Sequence, residues 1–164
     1  SCRSQAVSIE NDMSSPVELP FGVPQGSVLG PLFFTIYASP VVNVAHHHDL
    51  TVHTYADDTQ LYLSFKANDP AEETVTRKRI ELCVSDIKSW MSKNKLNDDK
   101  TELLIVSSKN AQNKIQNKSI QIGSSTISAS SSVRNLGIYL DSTLSMENHI
   151  KKVCQSAYFQ IRNL

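Results

Sequence analysis

The stretch Leu50-Thr51-Val52-His53-Thr54-Tyr55-Ala56-Asp57-Asp58-Thr59-Gln60-Leu61-Tyr62-Leu63-Ser64-Phe65 decides how this chain is read. Leu50 to Tyr55 alternates between apolar and polar residues, and Thr59 to Phe65 alternates again. A period of two marks a strand with one buried face. Ala56, Asp57 and Asp58 lie between the two runs, so the pair predicts a β-hairpin with two aspartates at its tip. Adjacent carboxylates repel each other at neutral pH. A divalent cation removes that cost. Magnesium favours a few carboxylate oxygens plus substrate phosphates over a closed protein cage. A rigid tip with two carboxylates suits two-metal phosphoryl transfer, in which ions about 3.5–4 Å apart hold the attacking and leaving oxygens. Aspartate is also an ordinary turn residue that bonds nearby backbone, so the Asp-Asp pair alone leaves both readings open.

Upstream of the hairpin stands Phe21-Gly22-Val23-Pro24-Gln25-Gly26-Ser27-Val28-Leu29-Gly30-Pro31. Its prolines and glycines forbid a regular element at its start. Pro31 suits the first turn of a helix, and the apolar run Leu32 to Ala38 predicts a buried helix ending near Pro40. Residues 1–20 are polar, with one short alternating stretch at Gln5 to Ile9. His46-His47-His48 falls in a predicted loop. Consecutive histidines cannot all face one ion from a regular element, so a surface role is preferred to metal binding.

Downstream, residues 71–93 predict an amphipathic helix. Ile80, Cys83, Val84, Ile87, Trp90 and Met91 recur at helical spacing, and Lys and Arg occupy the other face. Thr101 to Val106 predicts a strand, residues 107–118 a polar loop, and Ser119 to Ser128 a second hairpin turning at Gly123-Ser124-Ser125. Asn135 to Leu140 predicts one further strand. A last helix, from about Met146 to Leu164, carries the stripe Ile150, Val153, Cys154, Ala157, Ile161 and Leu164.

The 164 residues fit one domain or a large piece of one, and 40% hydrophobic residues can form a core. No run of eighteen apolar residues is present, so no membrane partner is expected. Cys2, Cys83 and Cys154 are odd in number and far apart, which disfavours a zinc ribbon or a disulfide framework. Cys83 and Cys154 read as core thiols. The N-terminus has neither Met nor an apolar signal core, and the chain reads as a fragment or a processed product. Net charge is zero, but residues 1–76 hold two basic and nine acidic groups, and residues 77–164 hold fourteen basic and seven acidic. An acidic half beside a basic half suits a site that holds cations in one place and phosphates in another. The zero sum implies weak independent binding to nucleic acid.

Four segments together resemble a known family. Tyr55-Ala56-Asp57-Asp58 looks like the catalytic box of reverse transcriptases. Gly22 to Pro31 resembles their preceding box, in the form typical of non-LTR, LINE-type retrotransposons. Asn97-Asp98-Asp99-Lys100-Thr101-Glu102 is similar to the next box, and Asn135-Leu136-Gly137-Ile138-Tyr139-Leu140-Asp141 to the one after it. The order and spacing agree from roughly Arg3 to Leu164, and the finer pattern resembles elements of the Jockey or CR1 type.

The resemblance implies an α/β (α+β) fold of the palm type, an antiparallel sheet with helices packed on one face, here incomplete. Residues 1–128 would be partial palm. Residues 129–164 would be the passage to the thumb and its first helix. It implies an RNA-directed DNA polymerase whose partners are an RNA template, a DNA primer and deoxynucleoside triphosphates. Asp57 would bridge two Mg2+ ions and Asp58 would be the weaker second acid, Tyr55 and Ala56 would lie near the primer end, and Gln25 and Gly26 would lie along the template base and incoming nucleotide. Lys100 would stand near the triphosphate, although the stretch before Asn97 is about two residues shorter than the family's usual one. The third carboxylate of a two-metal site is expected from an upstream box that residues 1–20 do not resemble, and the isolated chain is expected to be inactive. The alternative is a catalytically dead remnant that at most binds nucleic acid. An intracellular place, nuclear or in a cytoplasmic ribonucleoprotein, is what the family implies.

Overall fold

The computed structural model describes residues 3–18, 27–94 and 100–163. Gln25 and Gly26 lie outside the described residues, as do Asn97, Asp98 and Asp99.

The chain opens with β1 (Ser4–Gln5), β2 (Ser8–Ile9), β3 (Asp12–Met13) and β4 (Val17–Glu18). These pair as one interrupted hairpin, β2 with β3 inside β1 with β4. Two helices follow, α1 (Gly30–Ala38) and α2 (Pro40–His47). Next come β5 (Thr51–Tyr55), β6 (Asp58–Tyr62) and the long helix α3 (Pro70–Lys93). A single turn of helix, α4 (Lys109–Gln112), precedes β7 (Ser119–Ile122) and β8 (Ser125–Ser128). The chain ends with β9 (Ser132–Asn135), β10 (Ile138–Asp141) and α5 (Glu147–Arg162). The mixed α/β class holds. Among the described residues the strands pair two by two, as antiparallel ribbons.

Helix α3 is the element against which α2 and β7 pack. Asp69 caps it by accepting from the N–H groups of Ala71 and Glu72, Pro70 occupies its first turn, and Glu72 and Glu73 complement the positive end of its dipole. Removing that cap should show directly in a urea melt: Asp69→Ala is expected to lower stability by about 1 kcal/mol. The predicted stripe faces inward. Val41 and Ala45 of α2, Leu50, and Cys83 and Ile87 of α3 form one buried cluster, with Val52, Leu61, Leu63, Trp90 and Met91 packed around it. Val84, Ile120 and Ile122 form a second, and Leu61 and Ile80 touch both. Each fully buried aliphatic side chain contributes roughly 1.5–3 kcal/mol. Burial pushes the Cys83 thiol up to about 11, with the Asp86 carboxylate adding to the effect. A thiol reagent at pH 8 is therefore expected to label Cys154 at once and Cys83 only after unfolding.

Several expectations need correction. Residues 101–106 form no strand. Leu103 makes one isolated parallel bridge to Ala129 that extends into no ladder among the described residues. Asn135 to Leu140 is a hairpin rather than one strand. Leu136 and Gly137 form its turn with φ of +46° and +85°, the two positive angles that a type I′ turn requires. The helix at Leu32 to Ala38 forms, but α1 has no buried residue, and Leu32, Phe33 and Ile36 are more than half exposed. α1 does end near Pro40, at Ala38, but a second helix follows at once, with Pro40 as its first residue. His46 and His47 belong to the last turn of α2 and not to a loop. Cys154 is exposed and no core thiol, because α5 also has no buried residue.

Candidate functional site

The β5–β6 register is Thr51 to Tyr62, Val52 to Leu61, His53 to Gln60, Thr54 to Thr59 and Tyr55 to Asp58. Alternation across this ladder puts Val52 and Leu61 on the core face. Thr51, His53, Tyr55, Asp58, Gln60 and Tyr62 share the other face. Apolar contacts on one side thus hold the ribbon while the tip end of its polar side stays exposed. Ala56 and Asp57 form the two-residue turn, and Asp58 is the first residue of β6. The predicted tip is therefore sharper by one residue, with Asp57 in the turn and Asp58 locked by pairing opposite Tyr55. All four residues, Tyr55 to Asp58, are exposed.

Ala56 takes a φ of +52°, a value Asp57 does not share. That is the pattern of a type II′ hairpin turn, whose first position favours glycine. An alanine there costs roughly 1–2 kcal/mol. Such strain persists only where flanking structure over-determines it, and it clusters at functional sites.

The entry to β5 is fixed with equal care. Leu50 N–H donates to the Ala45 carbonyl at 3.0 Å and Asp49 N–H to the His46 carbonyl at 2.9 Å, with Asp49 at φ +53°. This is a Schellman motif, and its apolar contact is buried Leu50 against buried Ala45. Arg79 of α3 grips the same turn. Its Nη2 donates to the His48 carbonyl at 3.0 Å and to Asp49 Oδ2 at 2.9 Å. Two turns along the same helix, Asp86 Oδ2 lies 2.8 Å from His48 Nε2. His48 Nε2 is thus taken by a carboxylate, and its ring meets that of His47 edge to face at 5.7 Å.

On the polar face, Gln60 Nε2 donates to Asn135 Oδ1 at 2.7 Å, and the Tyr62 hydroxyl donates to Gln60 Oε1. Tyr62 also meets His53 edge to face at 5.3 Å. Asn135 opens the Leu136–Gly137 turn, whose hairpin is secured from behind by Asp141. The carboxylate of Asp141 accepts from the N–H groups of Thr143, Ser145 and Met146 and from the Thr143 and Ser145 hydroxyls. The Ser145 N–H bond above all, with those from Thr143, holds the Asp141 carboxyl well below the usual carboxylate range. No sequence pattern announced Arg79 or Gln60, because their partners lie 30 or more residues away.

As a metal site, the turn supplies two exposed carboxylates that pair with no cation among the described residues. Among those residues no group of three His, Cys, Asp or Glu could hold an ion. The donor set fits a cation whose other positions are filled by water and phosphate oxygens, not a closed cage. Lys100 is exposed, and among the described residues no ion pair joins it to the tip.

The family model for reverse transcriptase (RNA-dependent DNA polymerase) matches residues 2–140. The chain belongs to the reverse transcriptase family. The matched segment contains the aspartate turn and nearly all of the Asn135 to Asp141 hairpin half. Among curated relatives, "Probable RNA-directed DNA polymerase from transposon BS" of Drosophila melanogaster is 29% identical over 168 residues, covering 96% of this chain and 17% of that protein. "RNA-directed DNA polymerase from mobile element jockey", of the same organism, is 39% identical over 71 residues, covering 40% of this chain and 8% of that protein. The chain thus spans about a sixth of the length of the first of these. Both relatives agree with the non-LTR, Jockey-type resemblance of the four boxes. No solved structure matches the chain significantly. Among the described residues no helix is long and apolar enough to cross a membrane.

Proposed function

We propose that this chain supplies the metal-holding turn of an RNA-directed DNA polymerase, which adds deoxynucleotides to a primer 3′-OH on an RNA template. The observation that carries the reading is the Tyr55–Asp58 pairing. It leaves Asp57 and Asp58 side by side on an exposed, strained tip whose strands are anchored in the core. A divalent ion there, Mg2+ in this reading, would neutralise phosphate charge and lower the cost of forming the primer alkoxide. Asp57 and Asp58 hold the ion, with Asp57 dominant. Tyr55 and Ala56 border the primer end, where the small Ala56 side chain allows close approach of the sugar-phosphate backbone. Gln25 and Gly26 border the template base and nucleotide. Lys100 faces the triphosphate and neutralises the departing pyrophosphate. Residues 1–128 serve as palm and residues 129–164 as the passage to the thumb.

The test has two parts. Mn2+ added to the chain is expected to broaden the NMR signals of residues 55–58 first, and to fail to do so in Asp57→Ala/Asp58→Ala. Primer extension on an RNA template is then measured in a polymerase polypeptide of the relatives' length that carries this segment, with and without the same pair of substitutions. Extension that survives them sinks the proposal. RNA binding with no aspartate-dependent extension supports the dead remnant instead.

A further inference from the structure

We propose that Gln60 is a positioning residue for the aspartate turn: its amide ties β6 to the β9–β10 hairpin and sets how the Asp57–Asp58 tip stands relative to the Leu136–Gly137 turn. The inference rests on the function proposed above. The two ribbons share no backbone ladder, since β5 pairs with β6 and β9 with β10 as separate two-stranded sheets. Side chains must therefore fix their relation. Gln60 Nε2 reaches Asn135 Oδ1 at 2.7 Å across 75 residues of sequence.

The amide is used at both ends. Its oxygen accepts the Tyr62 hydroxyl, which leaves only the nitrogen to face Asn135. Tyr62 in turn is braced edge-on by His53. Gln60 is half-buried, so water competes poorly for the bond. Asp58, Gln60 and Tyr62 alternate onto one face of β6, and the backbone between them is held by the ladder to β5. A shift at Gln60 therefore passes to Asp58 two residues away. At the far end, Asn135 is the last residue of β9 before the turn. The bond thus joins β6, two residues beyond the Tyr55–Asp58 box, to the residue at which β9 meets its turn.

Two readouts test this. In the 164-residue chain, the Gln60 side-chain amide protons are expected to exchange slowly with water, and Asn135→Leu to speed that exchange about tenfold, the loss of one shielded hydrogen bond. In the longer polymerase polypeptide, Gln60→Leu and Asn135→Leu are each expected to lower the single-turnover rate about tenfold, with the nucleotide KM changed by less than about twofold. The double variant is expected to be no worse than either single one. Asn135→Asp keeps an acceptor for Nε2 and is expected to retain the rate, which a purely space-filling role would not distinguish from Asn135→Leu. Losses that multiply in the double variant, or an Asn135→Asp as poor as Asn135→Leu, would overturn the proposal. So would a Gln60 amide that exchanges as fast as a free one. Extension that persists in Asp57→Asn fails the proposed function instead, and the amide exchange still decides the tether.

Discussion

Asp57→Asn is expected to cut the rate of nucleotide addition at least about a thousandfold, roughly 4 kcal/mol of transition-state stabilisation, while leaving the fold intact. The substitution keeps shape and hydrogen-bonding capacity at the turn and removes the charge that a divalent ion needs. Asp57 is exposed and lies outside both buried clusters, so stability should move by no more than about 0.5 kcal/mol. It should move upward if at all, since one of two adjacent like charges is gone. Asp58→Asn is expected to cost less, about ten- to a hundredfold, in line with a weaker contact to the ion. The two residues are not equivalent in the fold either: Asp57 sits in the turn and Asp58 begins a strand opposite Tyr55. Single-turnover primer extension by the longer polymerase polypeptide across a range of Mg2+ concentrations, beside thermal melts of both variants of the 164-residue chain, checks the claim. Equal losses at the two positions would contradict the dominant role proposed for Asp57. A loss that tracks a lowered melting temperature would make it a folding effect.

What was legible in the amino-acid pattern, and what was not, follows from the range of the forces involved. The β5–β6 hairpin and helix α3 were readable because alternation and helical spacing are local, and both patterns were strong from Val52 to Leu61 and from Ile80 to Met91. The Leu136–Gly137 turn was missed for a local reason as well. Leucine rarely takes a positive φ, so Asn135-Leu136-Gly137 lacks the usual turn signature, and the apolar residues on either side read as one continuous strand. For α1 and α5, the pattern specified an apolar face but not what lies against it. Apolarity is a property of the residue and burial a property of its neighbours, so Leu32 and Phe33 could be called apolar and not buried. The tip carboxylates were found through their adjacency in sequence. Arg79, Gln60 and Glu73 act on partners brought near only by folding, and nothing local distinguishes them from surface polar residues.

Glu73 illustrates that last class and should have the largest effect on stability. It is 5% exposed, and each of its oxygens accepts from a backbone N–H more than 40 residues away, with Arg77 one turn along the helix as a further donor. Oε1 accepts the Asn117 N–H at 2.9 Å and the Arg77 guanidinium at 2.8 Å, and Oε2 accepts the Gln116 N–H at 3.2 Å. These bonds hold the segment that delivers β7, and β7 lays Ile120 and Ile122 against Val84. Glu73→Ala strands two backbone donors and one guanidinium in a shielded place, which is expected to cost about 3 kcal/mol in a urea melt. Glu73→Gln fills the volume but turns an NH2 group toward one of the N–H donors, and about half that loss is expected. The pH dependence follows from the same contacts. Burial pushes the Glu73 carboxyl up, but the Asn117 and Gln116 N–H groups and Arg77 outweigh it and leave it below its ordinary value of 4.5. A carboxyl lowered by folding stabilises fully above its unfolded value, and that contribution is lost as pH falls through the folded one. The unaltered chain should therefore lose stability on acidification below about 4.5, and Glu73→Ala should lose less over the same interval. Amide exchange should locate the damage at residues 116–122 before it reaches β5 and β6. Parallel stability-versus-pH curves for the two proteins would show that Glu73 does not hold this segment by its charge.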